Sequence, residues 1–174
     1  AEARLSASIA ADAALPDLNL RARLVAANML EALDQGDSAV AEFESVATQA
    51  AGLSRTLEFQ ARVGSAISFN HRGRHLDAAS IYRNALVSAA AWGTTEQIAA
   101  LHNNLGGELL ALGRAEQAAF EYQAALDLRE HANSSDYGRV LSLFGLGDVK
   151  MQLSERDEAY EYWRQAYALG FFIG

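Results

Sequence analysis

The sequence predicts an all-α fold of antiparallel helix pairs, and three observations carry that prediction. Apolar residues recur at steps of three and four, as in Leu101, Leu105, Leu109 and Leu112, a spacing that gives a helix one apolar face. The composition suits helices. The chain is 51% hydrophobic, much of it alanine, and its one proline is Pro16; alanine is the strongest helix former. Glycines punctuate the pattern at Gly36, Gly52, Gly73, Gly93 and Gly113, where a helix can end on a left-handed residue. No helix of this kind buries its apolar face alone, so each requires a neighbour.

The elements follow in order. Residues 1–15 read as a helix with Leu5, Ile9, Ala10 and Leu15 near one face, ended by Pro16 because proline disfavours helical geometry in the residue before it. Asp17 reads as the N-cap of a second helix, which runs to about Asp34 with Leu20, Leu24, Ala27, Leu30 and Leu33, and Gly36 supplies the break. A third helix over about 38–51 carries Val40, Phe43, Val46 and Ala47, with Gly52 as its left-handed cap. The next pair covers about 55–70 (Phe59, Val63, Ile67, Phe69) and 75–91 (Leu76, Ala78, Ile81, Tyr82, Ala85, Leu86), with Gly73 at the turn and Trp92 anchoring the end. Thr94 or Thr95 caps the helix of Leu101–Leu112. After Gly113-Arg114 comes a stripe of Ala118, Phe120, Tyr122, Ala125 and Leu126. Asn133-Ser134-Ser135-Asp136 is a turn-rich loop. The last pair covers about 137–153 (Leu143, Leu146, Val149, Met151) and 156–169 (Ala159, Tyr162, Trp163, Ala166).

The pairs repeat. Gly73-x4-Ala78-x3-Tyr82-x2-Ala85-Leu86 returns as Gly113-x4-Ala118-x3-Tyr122-x2-Ala125-Leu126, and with drift as Ser154-x4-Ala159-x3-Trp163-x2-Ala166-Tyr167. The steps are 40 and 41 residues, and Leu105-Gly106 matches Leu146-Gly147, with Ser65-Ala66 in the corresponding earlier place. This pattern resembles the tetratricopeptide repeat, which pairs Leu-Gly in a first helix with Ala, an aromatic and Ala in a second. The unit is longer than the usual period of about 34. It is similar to the long-period branch that includes kinesin light chains, LGN-type adaptors and bacterial regulators, as is the string His102-Asn103-Asn104-Leu105-Gly106. The resemblance implies a single right-handed superhelical solenoid over 1–174, with an odd helix of a truncated repeat at 1–15. A degenerate repeat follows at 17–52, where Gly36 and Ala41 fit and Phe43 takes the aromatic role in a shifted register, and repeats at 55–92, 95–132 and 137–170. Small residues at Gly106, Gly147, Ala118 and Ala159 let paired helices touch, and Tyr82, Tyr122 and Trp163 fill the gap to the next pair.

The formal net charge of −8 argues against a direct nucleic-acid grip, which needs Lys and Arg to displace counterions, and against an anionic membrane surface. With no cysteine, disulfides and thiolate metal sites are out. No run of eighteen apolar residues marks a membrane span, and residues 1–15 lack the basic start of a secretion signal, so a cytoplasmic chain is expected. Arginine far outnumbers lysine, whose one copy is Lys150, a weak pointer to a GC-rich bacterial genome.

The resemblance implies binding in the groove lined by first helices. Groove positions are Gln60, Val63, Ile67 and Asn70 in one repeat, Asn103, Asn104, Gly107 and Leu110 in the next, and Phe144, Asp148 and Met151 in the last. An asparagine amide both donates and accepts, so Asn103 and Asn104 suit the backbone of an extended peptide; the other reading is that they bond within the solenoid or face water. The expected partner is a protein or peptide segment, neutral to basic, with no cofactor. A basic carboxylate clamp is not present at these places. Enzyme signals are weak: His71 and His75 flank a turn at Gly73, Gly145-Leu146-Gly147-Asp148 lacks a strand and the Gly-Lys-Ser/Thr ending, and no nucleophile elbow occurs. Glu116, Glu121, Asp157, Glu158 and Glu161 read as solvated outer faces. Two alternatives stand beside the scaffold: a sensor or oligomerisation segment of a larger bacterial regulator, with uncapped ends joining another copy, and a helical-array enzyme, which would require His102 and Asp148 buried together in a pocket.

Overall fold

The structure is a computed structural model that describes residues 2–132 and 136–171, with side chains over 16–132 and 137–170. Among the described residues there are eight helices and no strand: α1 (Glu2–Ala32), α2 (Gly36–Ala50), α3 (Arg55–His71), α4 (His75–Ala89), α5 (Thr95–Ala111), α6 (Ala115–His131), α7 (Asp136–Gln152) and α8 (Arg156–Phe171). The expected loop Asn133-Ser134-Ser135 and the side chains of Leu5, Ile9, Ala10 and Leu15 lie outside the described set. The chain divides into two compact units, Ala1–Gly73 and Arg74–Gly174.

In the first unit α2 packs on α1 and α3, and α1 touches α3. Leu20, Val46, Ala47, Ala50, Leu57 and Ala61 form one buried cluster, and Ala27, Ala39 and Phe43 form a second. The break expected at Pro16 is absent. α1 runs through it, because a proline removes one backbone bond and clashes with one carbonyl, which kinks a helix more readily than it ends one when neighbouring turns persist. Asp17 is therefore not a cap; it pairs with Arg21 one turn on, at 2.6 Å. The register of the first repeat also differs from expectation. The left-handed turn residue is Asp34 (φ 59°), not Gly36. Counting from Asp34, Ala39 takes the small position and Phe43 the aromatic one. Both are buried while Ala41 is exposed. Gly36 serves another purpose: a Cβ there would overlap the Arg72 guanidinium.

In the second unit α5 pairs with α6 and α7 with α8, α4 packs on α5, and α6 packs on α7. Thr94 begins α5 with a reciprocal capping box to Gln97. The turns inside the pairs repeat one device, a left-handed residue at Gly113 (φ 73°) and Ser154 (φ 65°). Ala118, Ala159, Gly106 and Gly147 are all buried, as the repeat requires. Tyr122 reaches from α6 across to α7, where a Cβ on Gly145 would overlap its ring. Three expected core residues face solvent instead: Leu33, Leu76 and Phe120, the last 71% exposed. Leu76 and Phe120 sit on apolar-looking steps of α4 and α6 that face solvent, and Leu33 falls in the turn after α1.

Candidate functional site

Within the second unit the first helices of successive pairs, α5 and α7, touch each other. The repeat register assigns the groove positions of both helices to one wall. Along α7 this wall carries Leu141, Phe144, Asp148 and Met151, at steps of three and four that keep them on one face. Leu141, Phe144 and Met151 are 40%, 42% and 37% exposed, so three large apolar side chains stand half out of a well-packed helix. Along α5 the equivalent wall carries Asn103, Gly107 and Leu110, all half-buried. In the first unit, Gln60 and Ile67 on α3 are exposed, and Val63 and Asn70 half-buried; their spacing also gives one face.

Both asparagines have partners inside the fold. Asn103 Oδ1 accepts a hydrogen bond from Ser142 Oγ at 3.1 Å, tying α5 to α7. Asn104 hydrogen-bonds the Tyr82 phenol. The position of Asn104 in its repeat matches Gly145, where a glycine leaves room for an aromatic ring; here the amide meets the hydroxyl of the preceding pair's tyrosine. Among the described residues the Asn103 amide NH2 has no hydrogen-bond partner.

Beneath the wall lies a polar layer that the sequence pattern does not disclose. Tyr122 packs its ring between Gly106 and Gly145 and brings its hydroxyl to 3.5 Å from where a Cβ on Gly107 would stand. Burial pushes the Tyr122 phenol up to about 12, and the negative charges of Asp148 and Glu108 add to the rise. Tyr82 is raised as well, first by burial, then by Glu108, against the Asn104 hydrogen bond. Glu108 is 2% exposed and its Oε2 lies 2.8 Å from His75 Nδ1. The doubled glycine Gly106-Gly107 is the one sequence signal that something approaches closely here.

Other titratable groups form structural pairs. Arg129 is buried and crosslinks three helices: Nη2 donates to Glu96 Oε1 at 2.9 Å, and Nη1 to Gly138 O and Ser142 Oγ, each at 3.0 Å. In the first unit, Glu31 meets Ser68 and His71. Burial raises its carboxyl, but those bonds and the Arg72 charge outweigh this and hold it below the usual range. His71 ends α3 and His75 begins α4, each with its own glutamate. His102 pairs with Glu121 at 2.6 Å, so Glu121 is not the solvated outer carboxylate expected, and Asp148 instead accepts from Trp163 Nε1 at 3.2 Å. Among the described residues no group of three His, Cys, Asp or Glu converges to hold a metal, and no helix is long and apolar enough to cross a membrane. A cleft of about 530 Å³ opens on the opposite side of the unit, lined by residues of α6, α7 and α8 including Gln123, Arg139, Glu158 and Tyr162.

No family model matches the chain, and none of the curated proteins matches it in sequence. Solved structures do match in fold. BtubC (BKLC) from P. vanneervenii superposes with a TM-score of 0.81 at 18% identity, over 91% of this chain and 65% of that one. Two crystal structures of kinesin light chain nearly identical TPR-like repeats from Podosopora anserina give TM-scores of 0.73 and 0.72 at 19% identity. They cover 86% and 87% of this chain and 74% of each of theirs. The chain thus spans about two thirds of the BtubC chain. These likenesses show the fold: an all-α, TPR-like repeat solenoid.

Proposed function

We propose that the chain is a non-catalytic scaffold whose first helices hold a segment of another protein, neutral to basic in character. The observation that carries this reading is the row of half-exposed Leu141, Phe144 and Met151 on α7, beside the small and amide-bearing Gly107 and Asn103 on α5. Apolar side chains held out in a line offer pockets to alternate side chains of a docked segment. Neither wall carries a lysine or arginine at its groove positions, and the chain is acidic overall, which supports a partner that is not acidic. In the first unit, taken by itself, Gln60, Val63, Ile67 and Asn70 on α3 are the positions proposed for the same role. The test is a peptide array probed with the chain and with Phe144→Ala plus Met151→Ala. The reading expects selective capture by the parent that the double variant loses and that Phe120→Ala, a change on an outer face, leaves intact. Capture unaffected by the double variant contradicts it.

A second reading, a segment that joins further repeats or another copy within a larger regulator, has one observation in its favour. Tyr167 on α8 is 72% exposed, whereas Leu126 at the equivalent place on α6 is 6% exposed beneath α7. Light scattering that shows concentration-dependent association, abolished by Tyr167→Arg, supports it; a monomer at all concentrations contradicts the version that needs a second copy.

A further inference from the structure

Helix α1 is apolar on two faces. One packs inward: Leu20 joins Val46, Ala47, Ala50, Leu57 and Ala61, and Ala27 joins Ala39 and Phe43. The other carries Leu18, Ala22, Val25, Met29 and Ala32 at steps of four, three, four and three, all exposed. Leu18, Val25 and Met29 are 65%, 53% and 60% exposed. Apolar side chains exposed on other described helices do not make such a row. Ser80 and Arg83 separate Leu76 from Val87, Arg164 stands between Tyr160 and Tyr167, and Asp148 interrupts the row on α7. A helix that is apolar all round is a helix covered on both sides.

The repeat shows what kind of element such a face meets. Counting from the left-handed turn residues Asp34 and Gly73, Leu18, Ala22 and Val25 hold the places that Leu57, Ala61 and Gly64 hold on α3. There the face meets a helix: Leu57 and Ala61 are buried with residues of α2, and Gly64 lies under the Phe43 ring. The face on α1 is therefore shaped for a helix, but not for one that brings an aromatic knob. Val25 fills the place of the glycine, and unlike Asn104, which meets the Tyr82 phenol, it offers no hydrogen bond.

The spacing matches a second α1. Alternating steps of three and four give the 3.5-residue period by which two helices keep one seam together. The sequence holds that spacing back through Leu15 and Ala11, whose side chains lie outside the described set. From Ala11 to Ala32 this makes about three heptads, a length at which such a pattern argues for paired helices. The row complements itself when the second copy runs antiparallel: Ala22 meets Val25 and Leu18 meets Met29, so neither layer is small on both sides. In-register parallel pairing sets Ala22 on Ala22 and Ala32 on Ala32 and leaves gaps. Beside the seam stand Asn19, Arg21, Ala26 and Asn28. The one charge among them, on Arg21, is joined to Asp17 at 2.6 Å, so like charges do not oppose a self-complementary contact.

We propose that the outer face of α1 is a self-association surface on which a second copy of the chain lays its own α1 antiparallel. It uses neither the groove positions nor the Tyr167 end of α8.

Sedimentation of the chain over a concentration series is expected to show a monomer–dimer equilibrium. Val25→Glu changes a solvent-facing site, so helix content by circular dichroism stays the same, while the charge it puts in an apolar seam weakens the dimer at least about tenfold. Tyr167→Arg leaves the dimer in place. Cysteine pairing reads the direction, since the chain has no cysteine of its own. A mixture of Leu18→Cys and Met29→Cys chains is expected to link on oxidation. Met29→Cys alone is not, because antiparallel pairing holds its two copies about 16 Å apart along the axis and a disulfide needs Cα atoms within about 7 Å. A monomer at every concentration overturns the proposal and leaves the face to a helix of another protein. A dimer that Tyr167→Arg abolishes and Val25→Glu does not overturns it in favour of joining through α8. Linking of Met29→Cys alone overturns the antiparallel arrangement.

Discussion

The Tyr122 ring and Gly145 are locked together: a Cβ on Gly145 would overlap ring atoms Cε1 and Cζ of Tyr122. The same relation recurs in the first unit between Phe43 and Gly64. In each case an aromatic from a second helix fills the space that a glycine leaves on the next first helix. At these two joints the contact is therefore a knob on a bare backbone, whereas the equivalent position facing Tyr82 carries the side chain of Asn104.

Replacing Gly145 with alanine is expected to destabilise the fold by about 1–3 kcal/mol, the usual cost of overpacking, although alanine alone would favour the helix by about 1 kcal/mol. Gly106→Ala is the control. Its Cβ would stand 3.1 Å from the same ring, so a small shift accommodates it and the loss is smaller. Urea unfolding of both variants, compared through midpoints at unchanged slope, checks the order.

Alkaline pH should weaken the second unit through Tyr122. Its folded value of about 12 lies above the ordinary 10.0, so the folded chain keeps a proton that the unfolded chain surrenders. The stabilisation is fully present below pH 10 and is lost as pH rises toward 12, at up to about 1.4 kcal/mol per pH unit. Tyr122→Phe removes the titrating group and is expected to make this limb shallower. Urea midpoints measured from pH 9 to 12 for both chains provide the comparison.

Arg129 should be more costly to replace than any surface arginine. Its side chain is 3% exposed and serves Glu96, Gly138 and Ser142 at once. Arg129→Met is expected to cost about 2–4 kcal/mol, toward the lower end because Glu96 can be rehydrated. Arg129→Lys should recover less than half, since one ammonium cannot reach both sides as the guanidinium fork does. Thermal unfolding of the two variants measures this directly.

Ser65 offers a gain. Its Oγ is buried and, among the described residues, has no hydrogen-bond partner. Ser65→Ala removes an unpaired polar group and raises helix propensity, so stability should rise by about 0.5–1.5 kcal/mol. A fall in the urea midpoint would show that the hydroxyl is satisfied.

The repeat was legible where its landmarks are residue types. Gly113, Ala118, Tyr122 and their counterparts fix the second unit because the turn, the close approach and the filler each demand one kind of side chain. The first repeat was misread by two residues because its left-handed turn falls on Asp34, an acidic residue that tolerates that conformation less obviously than glycine, while the nearby Gly36 is kept for Arg72. Partners far apart in sequence were not legible. Nothing local to Glu108 points to His75, nor anything near Arg129 to Glu96. The groove positions follow from the repeat register, but the Ser142–Asn103 and Tyr82–Asn104 bonds required coordinates.

The most direct measurement is methyl and amide NMR of the chain with the strongest peptide from the array. The account predicts shifts concentrated on Leu110, Leu141 and Met151 and on the Gly107 amide, along the side shared by α5 and α7. Shifts gathered instead around Gln123, Tyr162 and Leu169, in the cleft on the other side of the unit, would contradict it.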